Sequence, residues 1–152
     1  MWLIMVAGVL MAAFSIGWLW WGDQNVPSKT ETTTTAAWLA KVTAWAGTHG
    51  GMNRAVVPPG EEGYIAAVRY GFIPETIVVK AGQPTTLNIS SVDVLHGWSI
   101  VGDNQNISLE IAPRHVFSAT ITPDEPGTYL VVCNEYCGLQ HHTMKGRIVV
   151  ER

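Results

Sequence analysis

From Gly63 onward the sequence predicts an all-β domain, a Greek-key sandwich or small barrel, behind a single hydrophobic N-terminal helix. Three observations predict it. About eight short runs of β-branched and aromatic residues follow one another, divided by clusters of turn residues. No segment among them repeats its apolar residues at the helical period. The first 22 residues contain no Asp, Glu, Lys or Arg, and the first charge is Asp23.

Trp2 to Trp21 supplies about 20 apolar or small residues, enough to cross a bilayer as a helix. Trp18, Trp20 and Trp21 crowd one end and Trp2 marks the other, as in an interfacial aromatic belt. A cleaved signal peptide is the competing reading. It wants a basic start and a small-residue cleavage site, and here aromatic residues stand where that site should lie. A retained anchor over 1–22 is therefore expected.

Residues 23–62 join anchor to domain. The stretch 23–35 reads as a linker, because Gln24-Asn25-Val26-Pro27-Ser28 breaks the helix and Thr32 to Thr35 is low complexity. Trp38, Val42 and Trp45 recur at i, i+4 and i+7, giving a short helix over 36–47 one apolar face. Two Trp on so short a piece favour a helix lying on the membrane or a neighbouring subunit over one packed on its own domain. His49-Gly50-Gly51 and Pro58-Pro59-Gly60 are loop signals. The domain proper is expected over 63–152, with strands at 64–70, 76–80, 85–90, 98–101, 107–111, 116–122, 128–133 and 147–150. Ala81-Gly82-Gln83-Pro84, Gly102-Asp103-Asn104 and Pro123-Asp124-Glu125-Pro126-Gly127 separate them.

A net charge of −3 argues against nucleic acid and is compatible with a basic protein partner. Charged residues are only 14% of the chain against 47% apolar, an imbalance that the uncharged N-terminus explains.

The chemistry is concentrated in Cys133-Asn134-Glu135-Tyr136-Cys137-Gly138-Leu139-Gln140-His141-His142-Thr143-Met144. Thiolate, imidazole and thioether together form a soft donor set that suits copper better than calcium or magnesium. One Cys, one His and one Met, with a second His from upstream, is the ligand set of a mononuclear blue-copper site, and His96 is the upstream candidate. The second Cys allows a pair of coppers bridged by two thiolates. Cys133 and Cys137 are the chain's two cysteines, and taken alone they would equally suit a disulfide. A zinc site would leave Met144 unexplained, since thioether is a poor zinc ligand. The joint spacing of Cys, Cys, His and Met selects metal.

The pattern Cys-x-Glu-x-Cys-Gly-x-x-His-x-x-Met resembles the binuclear copper (CuA) motif of cytochrome c oxidase subunit II. Ser91-Val92-Asp93-Val94-Leu95-His96-Gly97-Trp98 resembles that family's upstream ligand segment. The resemblance runs over about residues 64–150 and implies a cupredoxin fold. It implies His96, Cys133, Cys137, His141, Met144 and the main-chain oxygen of Glu135 as ligands. The Glu135 side chain matches a position that faces magnesium at the junction with the catalytic subunit. Asp93 is either a support for His96 or a solvated strand-end carboxylate. Trp98 is either core filler, the favoured reading, or an aromatic near the electron route. His142 is expected on the surface, and His49 and His115 are given no role. A single anchor makes the chain similar to the ba3-type branch, where a separate small single-helix subunit supplies a further helix. Ala67-Val68-Arg69-Tyr70-Gly71-Phe72 lacks the Trp-rich cluster of the larger oxidases.

With every metal position filled by protein, electron transfer is expected rather than substrate chemistry at the metal. The resemblance implies an electron-entry subunit of a membrane haem–copper oxygen reductase. It would take electrons from cytochrome c and pass them to haem in catalytic subunit I. Its copper domain would lie on the extracytoplasmic, periplasmic side of the cell membrane. The alternatives are the CuA subunit of a nitric oxide reductase and a free-standing copper-delivery protein.

Overall fold

The computed structural model describes residues 2–21, 29–102 and 107–152, without the side chains of residues 18–21 and 29. Helix α1 spans Trp2–Trp21. The expected belt of Trp18, Trp20 and Trp21 lies outside the described side chains, and residues 23–28 of the expected linker lie outside the described residues. Among the described residues no helix is long and apolar enough to cross a membrane.

Among the described residues eleven strands follow, with one long helix between the first two. They are β1 (Lys29–Thr32), β2 (Arg54–Val56), β3 (Glu62–Val68), β4 (Gly71–Ile73), β5 (Thr76–Lys80) and β6 (Thr85–Ser91). They continue with β7 (His96–Val101), β8 (Ser108–Ile111), β9 (His115–Ile121), β10 (Gly127–Val132) and β11 (Lys145–Glu151). Helix α2 (Thr35–Thr48) lies between β1 and β2. One sheet has the order β1-β9-β6-β3-β4 and the other β2-β5-β11-β10-β7-β8. Residues alternate between their faces, as the strand period requires. Ile65, Ala67, Leu87, Ile89, Ala119 and Ile121 of the first sheet meet Ile77, Val79, Trp98, Val131, Ile148 and Val150 of the second in one buried core. Trp98 is thus a core residue, as favoured from the sequence.

The sandwich is as expected, and its strand boundaries extend the sequence reading in three places. Lys29–Thr32, read as linker, pairs antiparallel with β9 at the edge of the first sheet. Threonine suits strands, but this run lacks the apolar alternation that would have marked it. Strands β2 and β4, three residues each, are too short to show a period. Their partners β5 and β3 supply the pairing.

Helix α2 corrects an expectation. Its Trp38 and Val42 face packs on its own domain rather than on a membrane or a neighbouring subunit. Trp38 and Val42 lie in a second cluster with Ala66 of β3 and Val116 of β9. The Trp38 indole Nε1 donates to the Ile65 carbonyl at 3.0 Å. Strand β3 therefore buries both faces, Ile65 and Ala67 toward the core and Ala66 toward the helix. Thr34, from the low-complexity run, caps the helix, its Oγ1 accepting from the Ala37 N–H at 3.2 Å. Trp45, only partly buried, stacks on His49 with centroids 4.6 Å apart.

Because Trp38 is 3% exposed, Trp38→Ala is expected to cost about 3–5 kcal/mol. Leu39→Ala, on the exposed side of the same turn, is expected to stay within about 0.5 kcal/mol. Urea unfolding of the full chain measures both. Equal effects would mean that the helix does not dock through its Trp38 face.

Candidate metal centre

Three connections meet at one end of the sandwich. Strands β3 and β6 run parallel, with Ala67 opposite Ser91, and the Val92 N–H donates to the Ala67 carbonyl at 3.1 Å. This holds the β3–β4 turn beside the β6–β7 turn. Strands β7 and β10 run antiparallel, with Ser99 opposite Val132. The next residue of β10's chain, Cys133, therefore arrives beside the start of β7, and the Gly97 N–H points at the Cys133 sulfur from 3.4 Å. A Cβ on Gly97 would stand 2.7 Å from the Asn134 backbone nitrogen and would collide with the Asn134 side chain. Glycine is needed there because the loop crosses directly over it.

His96 opens β7 and is fully buried. Its Nε2 lies 2.7 Å from Asp93 Oδ1. A carboxylate can only accept, so Nε2 carries a proton, and in the neutral ring it is Nδ1 that offers a lone pair. Nδ1 faces the Cys133 sulfur at 3.9 Å. Asp93 also accepts from the Val94 N–H at 2.7 Å and, through Oδ2, from the Arg69 N–H at 2.8 Å. Burial alone would raise the Asp93 carboxyl. The bonds from His96, Val94 and Arg69 outweigh it and hold the group below the ordinary Asp value.

The loop 133–144 closes on itself. The Cys133 N–H donates to the Met144 carbonyl at 3.3 Å, and the His141 N–H to the Gly138 carbonyl at 3.0 Å. A single 3₁₀ turn, His141–Thr143, presents His141 inward. Gly138 has φ +134°, and a Cβ there would lie 2.6 Å from the Tyr70 hydroxyl. Conformation and space both require glycine at that point. Asn134 Nδ2 donates to Ser108 Oγ at 2.9 Å, which ties the loop to β8.

The donor atoms gather around the two sulfurs. Cys133 and Cys137 are free and buried, with Sγ atoms 3.8 Å apart. Cys133 Sγ is 3.2 Å from the Glu135 carbonyl oxygen. Cys137 Sγ is 3.7 Å from His141 Nδ1 and 3.7 Å from Met144 Sδ. The donors of His96, Cys133 and Cys137 all lie within 4.8 Å of one another. Each sulfur thus has one imidazole nitrogen and one weak donor beside it. Two sulfurs about 2.3 Å from one tetrahedral ion would lie about 3.8 Å apart, and a sulfur and an imidazole nitrogen about 3.5 Å. The observed separations match that size, and the donors are soft, so the residues present fit copper. Burial, then the neighbouring Cys133 thiol, pushes the Cys137 thiol up to about 11. A cation between the sulfurs would reverse that preference.

The structure brings together every donor named from the sequence and sets Asp93 behind His96. Trp98 stays in the core and the Glu135 residue is half-buried. His142 is exposed, and His115 is exposed with Nδ1 on the Pro113 carbonyl at 3.0 Å. No motif pointed to Arg69, whose backbone and side chain both reach the site. Its side-chain Nε donates to the Cys137 carbonyl at 3.0 Å.

Comparison with known proteins agrees with this geometry. The chain is 40% identical over 88 residues to cytochrome c oxidase subunit 2 of Thermus thermophilus, which covers 58% of this chain and 64% of that protein. It is 33% identical over 92 residues to nitrous-oxide reductase of Stutzerimonas stutzeri, 58% of this chain but 14% of that protein. The fold superposes with TM-score 0.62 and 26% identity on a chain from a cryo-electron microscopy structure of a heme-copper terminal oxidase dimer, covering 98% of this chain and 96% of that one. The model of the cupredoxin-like domain matches residues 11–150, and the chain belongs to that family.

Proposed function

We propose that this chain is the electron-entry subunit of a membrane haem–copper oxygen reductase, taking electrons singly from a cytochrome c and passing them to haem in the catalytic subunit. The observation that carries the reading is the pair of buried free thiols 3.8 Å apart, each flanked by an imidazole nitrogen. The likenesses to cytochrome c oxidase subunit 2 and to a heme-copper oxidase chain support it.

The proposed ligands are the thiolates of Cys133 and Cys137, the imidazoles of His96 and His141, the Met144 thioether and the Glu135 carbonyl. A copper pair bound there supplies a one-electron centre whose charge is shared over two metals and two sulfurs. The chain's own part is to hold that donor set still. Asp93 keeps the His96 ring in one orientation and one tautomer. The 3₁₀ turn fixes His141, and the sandwich core packs Met144 and both cysteines away from water. Such a cage leaves no open position for a substrate, which favours electron transfer over chemistry at the metal. It also disfavours copper delivery, because a cargo site has to release its ion. The Glu135 carboxylate is proposed to face a magnesium ion at the subunit junction.

Trp2 to Trp21 is proposed as the membrane anchor, with the copper domain on the periplasmic side. Tethering raises the domain's effective concentration at its partner. Oxygen is the proposed terminal acceptor, and a nitric oxide reductase is the alternative assembly.

The full chain is expected to bind two coppers and to be purple rather than blue. Metal analysis and electron paramagnetic resonance measure this, and hyperfine structure from a single copper nucleus would exclude the pair. Cys137→Ser is expected to abolish the pair by removing one bridge. Met144→Leu keeps volume at a cost below about 1.5 kcal/mol, so copper should remain while the reduction potential shifts. Equal copper loss in the two variants would overturn this order of ligand strength. Under mild detergent the chain is expected to co-purify with haem, and turnover with oxygen or nitric oxide separates the two assemblies. A chain that purifies without haem and exchanges its copper freely would be a delivery protein instead.

A further inference from the structure

We propose that Arg69 is a positioning residue of the metal centre, tying its two ligand segments to the β3–β4 turn and raising its reduction potential through the guanidinium on the Cys137 carbonyl. The proposal rests on the copper reading above. Arg69 sits between β3 and β4, outside the donor set, and is exposed. Its main-chain N–H donates to Asp93 Oδ2 at 2.8 Å, and the other oxygen of that carboxylate holds His96 Nε2 at 2.7 Å. Its side-chain Nε donates to the Cys137 carbonyl at 3.0 Å. One residue therefore braces the upstream ligand and the second thiol, which lie 41 positions apart by number (137 minus 96).

The two arms differ in what they ask of the side chain. Any residue but proline could supply the main-chain arm. The second arm needs a donor that reaches across to the β10–β11 loop. The guanidinium supplies it in a fixed planar geometry and stays charged at every physiological pH. The bonded carbonyl belongs to the same residue as the bridging sulfur. A permanent cation held there favours the form of the centre carrying one more electron, by Coulomb attraction that water partly screens. The residues of this turn carry no other basic side chain: its neighbours are Val68, Tyr70 and Gly71.

Substitution of the side chain leaves the main-chain arm in place, so the test isolates the guanidinium. The full chain, copper-loaded in detergent, is prepared as wild type, Arg69→Gln and Arg69→Lys. Copper content, unfolding temperature and midpoint potential are measured on each. All three are expected to hold two coppers. Arg69→Gln is expected to lower the equilibrium constant for reduction by up to about tenfold, ~59 mV for a one-electron couple. Arg69→Lys, which keeps the charge, is expected to recover most of that shift. An unmoved potential in Arg69→Gln overturns the proposal, even if the unfolding temperature falls, because Arg69 would then only stabilise the fold. An equal shift in both variants overturns it too, since charge would not be the cause. A wild-type chain without a copper pair overturns the copper reading itself, whereas a wild type with the pair and an unmoved Gln variant overturns the Arg69 proposal alone.

Discussion

The metal centre depends on the register between β7 and β10. Ser99 stands opposite Val132, Ile100 opposite Val131 and Val101 opposite Leu130. That pairing delivers Cys133 to the Gly97 N–H and brings the whole loop 133–144 over His96. A slip of one residue would turn every side chain of the strand to the other face. Val131 would leave the core, and Cys133 would point away from His96. The core prevents the slip, because Val131, Ile100, Trp98 and Ile148 of this sheet share one buried core with Ile65, Leu87 and Ile89 of the other. Burial of ordinary aliphatic side chains thus sets the position of the sulfurs, and the ligand loop inherits its precision from the strands on either side.

A second layer of polar contacts finishes what the register begins. Asp93 gathers three N–H groups, from its own turn, from the β3–β4 turn and from the His96 ring. Ser91 adds bonds to the Val94 carbonyl and to the Asp93 carboxylate. The turn between β6 and β7 is therefore organised around one carboxylate. Its charge orients the imidazole and makes a minor contribution to holding the Cys137 thiol up. A carboxylate satisfied on so many sides adds rigidity where a half-satisfied one would destabilise the turn.

Much of this was legible in the sequence, for identifiable reasons. The donor run 133–144 is local, so its spacing alone announced the chemistry. The eight main strands are short β-branched and aromatic runs bounded by turn residues, and such runs can be read locally. His96 was found because a second imidazole was wanted from upstream and the segment Ser91 to Trp98 resembles the family's ligand segment. What stayed hidden is what depends on tertiary partners. Trp38 and Val42 gave a clear helical face, yet the face alone does not say what covers it; Ala66 and the Ile65 carbonyl do. Lys29–Thr32 becomes a strand only because β9 offers an unpaired edge. Arg69 has no motif at all, and only the parallel pairing of β3 with β6 brings its turn to the site.

The centre has one further property that follows from burial. Burial, then the Cys133 thiol 3.8 Å away, holds the Cys137 thiol up at about 11. Deprotonating both would put two like charges side by side away from water. In the metal-free chain the Cys137 thiol is therefore neutral, and both cysteines pack in the core with Met144 and Trp98. A bound cation removes that obstacle, because it compensates both charges where they arise. The same walls that make the bare dithiolate costly also strengthen its attraction to a metal ion, since both effects come from the low local dielectric. The fold therefore works in one direction: it holds a soft donor set gathered and buried, and metal binding adds its free energy to the stability of the loop and of the strands that carry it.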